Sequence, residues 1–224
     1  MCSGSRRQTR GQLLPRLRGA LLGAMCCTVL AGGGATCSPG PADGDPNGIL
    51  TIGPDDHALA VGDPKVTVIE YTDFQCPYCG RFATETFPTI RQDYVDTGKV
   101  RWVFRHFPIP GHANSQAAAE ASECAADQGT FWEYKDLLFH NQSALSDADL
   151  KAYASQSGLD SASFDACVDG GGKAAHVQED FSGGIAIGVR GTPTFFINGE
   201  KVVGFKSAEA FSSLLDAVLA AAGG

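Results

Sequence analysis

Residues 71–82 read YTDFQCPYCGRF. Two cysteines, Cys76 and Cys79, stand directly behind an apolar run, and what flanks them decides the fold. Upstream, VTVIEYTDF (66–74) is β-branched, aromatic and mostly apolar, as a buried strand should be. Downstream, Pro77 suits the first position of a helix, and Phe82, Phe87, Ile90 and Tyr94 recur close to helical spacing. Pro88 predicts a kink in that helix, and TGK (97–99) its end. VRWVFRHF (100–107) predicts a second strand, so strand, helix and strand make a βαβ unit with a parallel sheet. Cys76 then occupies the N-cap. Its sulfur faces unpartnered backbone N–H groups and the positive end of the helix dipole, which favour thiolate over thiol. Cys79 lies one turn in, more shielded.

Beyond Pro108, Pro110 and Gly111 the texture becomes helical from about 113 to 168, with SQAAAEASECAAD, FWEYKDLLFHN and SDADLKAYASQS in succession. Ser146 with Asp149 forms a capping-box pattern, and Gly158 follows that helix. Trp132 and Tyr134 read as core of this all-helical insertion. Residues 173–188 predict a helix weakened by Gly183 and Gly184. TPTFFIN (192–198) and KVVGF (201–205) predict two strands around an Asn198-Gly199 hairpin turn. Ser207 opens a last helix with Phe211, Leu214, Leu215, Val218 and Leu219 on one face.

The chain has 224 residues, 43% hydrophobic and 19% charged, enough for one large domain plus a tail. Residues 1–36 hold Arg6, Arg7, Arg10, Arg16 and Arg18 and no acid. Setting these aside leaves 12 basic against 25 acidic residues, a formal charge of −13. Such a surface repels phosphate and argues against nucleic-acid partners. The arginines followed by GALLGAMCCTVLAGGGA (19–35) read as an export signal over 1–36. An uncleaved membrane anchor and a lipid-modified Cys37 are the alternatives. Residues 37–48, rich in Pro, Gly and Asp, read as a flexible linker, and the folded part is expected over 49–224.

Of eight cysteines, four lie in the signal and tether, leaving Cys76, Cys79, Cys124 and Cys167. In an exported protein four cysteines usually mean two disulfides, and sequence alone allows three pairings. The close pair is the natural partner set, which leaves Cys124 with Cys167. A four-cysteine zinc site would show two close pairs, and only one exists. A Cys76–Cys79 bridge closes too small a loop to be a useful staple, whereas a Cys124–Cys167 bridge contributes roughly 4 kcal/mol in the loop-entropy model. None of His57, His106, His112, His140 and His176 stands in a metal-ligand spacing with another, so no metal is expected. His106 reads as a strand-end histidine with an ordinary partner.

FQCPYC behind a strand, the helical insertion, and GVRGTPTFFINGEKVVG (188–204) together resemble the thioredoxin superfamily, and within it the bacterial disulfide oxidoreductases of the DsbA type. The resemblance covers about 49–224. It implies an α/β thioredoxin-like fold with an all-helical domain inserted after the first βαβ unit. It implies that Pro193 is cis and lies against the Cys76–Cys79 pair, with Thr192, Pro193, Pro77 and Tyr78 meeting the substrate chain. It implies that Glu70, six residues before Cys76, is the acid beneath the site that relays protons for Cys79. Asp73 is read as surface charge near the site. The Cys124–Cys167 pair resembles the structural second disulfide of relatives from actinobacteria and other Gram-positives. The Pro77-Tyr78 dipeptide departs from the Pro-His of DsbA itself, so the redox potential does not carry over.

The expected activity is disulfide formation in exported proteins. The partners would be unfolded chains with free cysteines and a quinone-linked membrane reoxidant of the DsbB or vitamin K epoxide reductase type. The expected protein is a monomer in the cell envelope or secreted, with no cofactor beyond the redox-active disulfide. An envelope reductase or isomerase on the same fold, and a peptide-binding module without activity, are the competing readings.

Overall fold

The computed structural model describes residues 48–223. The export signal and nearly all of the linker, with Cys2, Cys26, Cys27 and Cys37, lie outside the described residues. Strands β1 (His57–Leu59), β2 (Val66–Thr72), β3 (Val100–His106), β4 (Thr194–Ile197) and β5 (Glu200–Val203) form one sheet in the order β1-β3-β2-β4-β5. Only β2 and β3 are parallel, joined by the expected crossover helix. The other pairings are antiparallel. The short edge strand β1 was not read from the sequence, because three residues carry almost no periodicity. It pairs with β3, and Arg105 of β3 clasps Asp56 through two charge-assisted bonds of 2.7 and 2.8 Å, fixing the segment before it.

The crossover is a composite helix: α1 (Pro77–Arg81), a π segment (Phe82–Thr86), α2 (Phe87–Ile90) and a second π segment (Arg91–Val95). The anticipated disturbance at Pro88 takes this form. Proline has no N–H to donate, and the widened turn before it is closed by Phe87 N–H on Phe82 O. Phe82 and Phe87, five residues apart and out of step with an α-helix, are thereby both buried against Trp102, with ring centroids 5.8 and 4.9 Å away.

The insertion is α3 (Ser115–Ala126), α4 (Phe131–His140), α5 (Asp147–Gln156) and α6 (Ser161–Gly170). The Ser146–Asp149 capping box opens α5. Tyr134 is fully buried, and its hydroxyl donates to Leu150 O at 2.9 Å. Cys124 of α3 and Cys167 of α6 are bonded, 43 positions apart in the sequence. Replacing both by alanine is expected to lower unfolding free energy by up to roughly 4 kcal/mol, measured by urea denaturation of the otherwise oxidised chain.

Helix α7 (Ala174–Ala186) returns to the sheet unbroken through Gly183 and Gly184. The reason is close approach: a Cβ on Gly184 would lie 2.8 Å from Phe107 and 3.0 Å from Tyr71. The hairpin turn has Asn198 at φ 47° and Gly199 at φ 90°, both left-handed as the two-residue turn requires. Helix α8 (Ala208–Ala222), capped by Ser207, covers the sheet face opposite α7 with Phe211 and Leu215.

Candidate active site

Cys76 is the N-cap of α1, with φ −70° and ψ 121°, and Pro77 follows at the first helical position. The proline suits that place because its missing N–H would have no partner there. The loop before it is held by Asp73. This residue was expected as surface charge and is instead buried. Its Oδ1 accepts from Gln75 N (2.6 Å), Cys76 N (3.2 Å) and Ser115 Oγ (2.6 Å). Its Oδ2 accepts from Ile109 N at 2.6 Å and pairs with His112 Nδ1 at 2.9 Å. The correction has a simple cause. Neighbours 36 to 42 positions away satisfy the charge, and spacing within the sequence gives no sign of them.

The insertion grips the same loop from the other side. Gln142 Nε2 donates to Phe74 O at 2.8 Å and Cys76 O at 2.9 Å. Gly80 makes room for this, since a Cβ there would stand 2.0 Å from Gln142 Oε1. Neither residue was singled out from the sequence.

Both cysteines carry free thiols. Cys76 is 6% exposed and Cys79 fully buried. The Thr192–Pro193 bond is cis, and the Cys76 thiol donates to Thr192 O at 3.3 Å, so the strand entry and the sulfur pair are in contact. The ring of Tyr78 stands out into solvent, 58% exposed, beside Cys76. The Cys79 thiol's hydrogen bond to the Cys76 sulfur, followed by Thr192 and the backbone N–H groups of Cys79 and Tyr78, pulls the Cys76 pKa from 9.0 down to about 6, against the opposing effect of burial. Burial, reinforced by the neighbouring Cys76, pushes Cys79 well above 9.0. The surroundings of Cys76 thus favour the thiolate and those of Cys79 the thiol.

Glu70 is buried in β2 and accepts from Trp102 Nε1 at 3.1 Å. Burial raises its carboxyl from 4.5 to about 7, against the pull of buried Lys135 on α4 and the bonds from Trp102 and Thr72. Thr72 is two residues further on and so on the same face of β2. Its hydroxyl is buried without a full hydrogen bond, yet it stabilises the ionised forms of both Glu70 and Cys79. Trp102, Lys135 and Thr72 were not read from the sequence as site residues. The Cys124–Cys167 bridge lies in the core of the insertion, in the cluster that also takes in Cys76 and Cys79.

An N-capping cysteine, a shielded second cysteine one turn on and a cis-proline loop against them stand on a mixed sheet with a helical insertion, the arrangement of a thioredoxin-like scaffold. The thioredoxin family profile matches residues 55–217, and the chain belongs to that family. Within the superfamily it is DsbA-like. It superposes on Wolbachia pipientis alpha-DsbA1 with a TM-score of 0.68 and 26% identity, covering 78% of this chain and 96% of that one. For BdbD from Bacillus subtilis the TM-score is 0.67 and the identity 25%, covering 74% and 93%. The chain is also 40% identical over 174 residues to the Na(+)/H(+) antiporter NhaA 1 of Salinispora arenicola, and 37% identical over 162 residues to an NhaA of Herminiimonas arsenicoxydans. These matches cover 77% and 72% of this chain but only 26% and 25% of the antiporters. The chain thus spans about a quarter of the length of the curated relatives it matches.

Proposed function

We propose that this chain is an exported oxidoreductase that forms disulfides in translocated polypeptides by exchange through Cys76 and Cys79. The observation that carries this reading is the placement of the two sulfurs, Cys76 at the N-cap of α1 and 3.3 Å from Thr192 O, Cys79 fully buried one turn on. The same placement favours thiolate at Cys76 and thiol at Cys79. In the oxidised pair a substrate thiolate attacks Cys76 Sγ, the Cys76–Cys79 bond breaks, and Cys79 leaves and takes up a proton. A second substrate thiolate then attacks the substrate sulfur of the mixed disulfide, and Cys76 departs as a stabilised thiolate. The substrate loses two electrons and gains a disulfide, and the pair holds the two electrons as a dithiol. A membrane partner that passes electrons to quinone, of the DsbB or vitamin K epoxide reductase type, would restore the disulfide.

The low Cys76 pKa makes it a good leaving group, which favours the oxidising direction. Part-exposed Thr192 and the exposed ring of Tyr78 give an extended substrate chain a surface beside the sulfur, whereas Pro193, expected to meet the substrate, is itself buried and acts through the cis bond that sets the direction of Thr192. The Cys124–Cys167 bridge supports a compartment outside the cytoplasm, where such bonds persist. The arginine-led apolar N-terminus supports the same placement. Among the described residues no helix is long and apolar enough to cross a membrane.

Equilibration of the purified chain in graded glutathione buffers, with thiol trapping of Cys76 and Cys79, tests the direction. A potential near about −120 mV is expected of an oxidase, and one near about −270 mV would make the chain a reductase.

Glu70, its carboxyl raised by burial to about 7, is the proposed holder of the proton that Cys79 gains or loses, a reading supported by Thr72, which bears on both groups. Glu70→Gln is expected to slow Cys79-dependent resolution of a mixed disulfide by about 100-fold in stopped-flow measurements. It should also remove the decline in wild-type rate below about pH 7. Stability should respond with the opposite sign. A carboxyl whose folded pKa is raised contributes stability that is fully present below about 4.5 and lost as pH rises through about 7, a dependence absent in Glu70→Gln.

A further inference from the structure

A second group of chemically capable side chains lies outside the exchange site, and the exchange chemistry does not use it. His57 on β1 and His106 at the end of β3 both direct Nε2 at one oxygen, Glu123 Oε1 on α3, at 2.6 and 2.7 Å. The three atoms lie within 4.8 Å of one another. A third imidazole, His176 on α7, has its Nε2 3.7 Å from the same oxygen and 3.9 Å from Asp180 Oδ2. Asp180 in turn accepts from His106 N at 2.9 Å. His106 and Glu123 are buried, whereas His57 and His176 are partly open at the rim.

A buried carboxylate needs donors, but it does not need three imidazoles around one oxygen. Imidazole nitrogens with one carboxylate oxygen are the donor set of a zinc-type ion rather than of calcium or magnesium, which take oxygen ligands. We propose that His57, His106 and Glu123 bind a divalent transition metal of the zinc class, with His176 as the fourth ligand. Bonds of about 2.0–2.1 Å in a tetrahedron place ligand atoms about 3.3 Å apart. The two short pairs therefore open by about 0.6 Å. His176, 3.7 Å from Glu123 Oε1 but with its ring 6.2 and 6.4 Å from those of His57 and His106, swings inward by side-chain rotation to complete the set. The rim positions of His57 and His176 allow that adjustment. Each ligating imidazole must present a lone pair, so its proton moves to Nδ1 or to solvent. The ion enters from a cleft of about 380 Å³ that His176 and Asp180 line together with Tyr71 and Arg105. Once bound, it ties the edge strand β1 and strand β3 of the sheet to α3 of the insertion and to α7.

The test uses the full chain, oxidised and then treated with iodoacetamide so that no free thiol competes for metal. Zinc titration by calorimetry should give one site per chain. Cobalt should give visible absorption of tetrahedral type without the near-ultraviolet band of a thiolate ligand. Zinc should also raise the midpoint of thermal unfolding. His57→Phe keeps the ring that stacks on Phe131 at 3.5 Å and removes the ligand nitrogen. It should weaken zinc binding by about 100-fold or more and abolish the thermal shift. Glu123→Gln, close in size, provides the second variant and should do the same. Absence of saturable zinc binding to the alkylated chain would overturn the proposal, as would wild-type affinity in both variants or a thiolate band in the cobalt spectrum. None of these readouts depends on disulfide exchange, so the proposal stands or falls apart from the proposed activity.

Discussion

Cys76→Ser is expected to lower the rate of disulfide formation in a reduced, unfolded substrate by about 1,000-fold or more, because the sulfur that forms the mixed disulfide is gone. Cys79→Ser should behave differently. It keeps the nucleophile and removes the group that resolves the intermediate, so the chain should accumulate as a mixed disulfide, visible as a mass increase under non-reducing conditions. A peptide-binding module would retain its binding in both variants and form no adduct in either. The pH dependence of the reduced wild type follows from the same asymmetry. Cys76 should react with iodoacetamide along a curve centred near pH 6, and Cys79 should stay silent. Because the folded pKa of Cys76 lies below its ordinary 9.0, its contribution to the reduced fold is present above that value and lost as pH falls through about 6. The oxidised chain lacks this dependence. The difference between the two unfolding curves from pH 6 to 9 therefore measures the thiolate's stabilisation of the reduced state.

Asp73→Ala is the substitution expected to damage the fold most. It removes a buried carboxylate that holds the Gln75, Cys76 and Ile109 N–H groups, the Ser115 hydroxyl and His112. Cys76 N–H would keep the Asp73 carbonyl at 3.2 Å, but the Gln75 and Ile109 N–H groups and the buried Ser115 hydroxyl would lose the acceptor they share. Dismantling such a network costs about 3–5 kcal/mol. Urea midpoints at pH 7 should fall accordingly, with Asp73→Asn intermediate because its amide oxygen still accepts. A loss below about 1 kcal/mol for Asp73→Ala would show that the loop keeps its shape without this residue.

The sequence showed most clearly those features that rest on near neighbours. Cys76 before Pro77, the Asn198-Gly199 turn and the Ser146–Asp149 capping box each depend on residues within a few positions, and each stands where the pattern put it. The sulfur asymmetry was legible for the same reason, since burial one turn into a helix is a local property. Contacts between distant segments were not legible. Asp73 meets Ser115 across 42 positions, Gln142 meets Phe74 across 68 and His57 meets Glu123 across 66. Charge and side-chain type say what such residues can do, but only the fold says what stands opposite. The five-residue step from Phe82 to Phe87 is an intermediate case. It was read in the sequence as close to helical spacing, and the extra residue in the step is taken up by the first π segment.

The two π segments bear on how this protein can change length. A π turn takes up one residue more than an α turn between the same ends. The extra residue is absorbed where it sits, at Phe82–Thr86 and again at Arg91–Val95. Pro77 and the two sulfurs precede both segments. Single-residue gains or losses along this stretch can therefore be accommodated downstream, while the spacing of Cys76, Cys79 and Thr192 stays fixed.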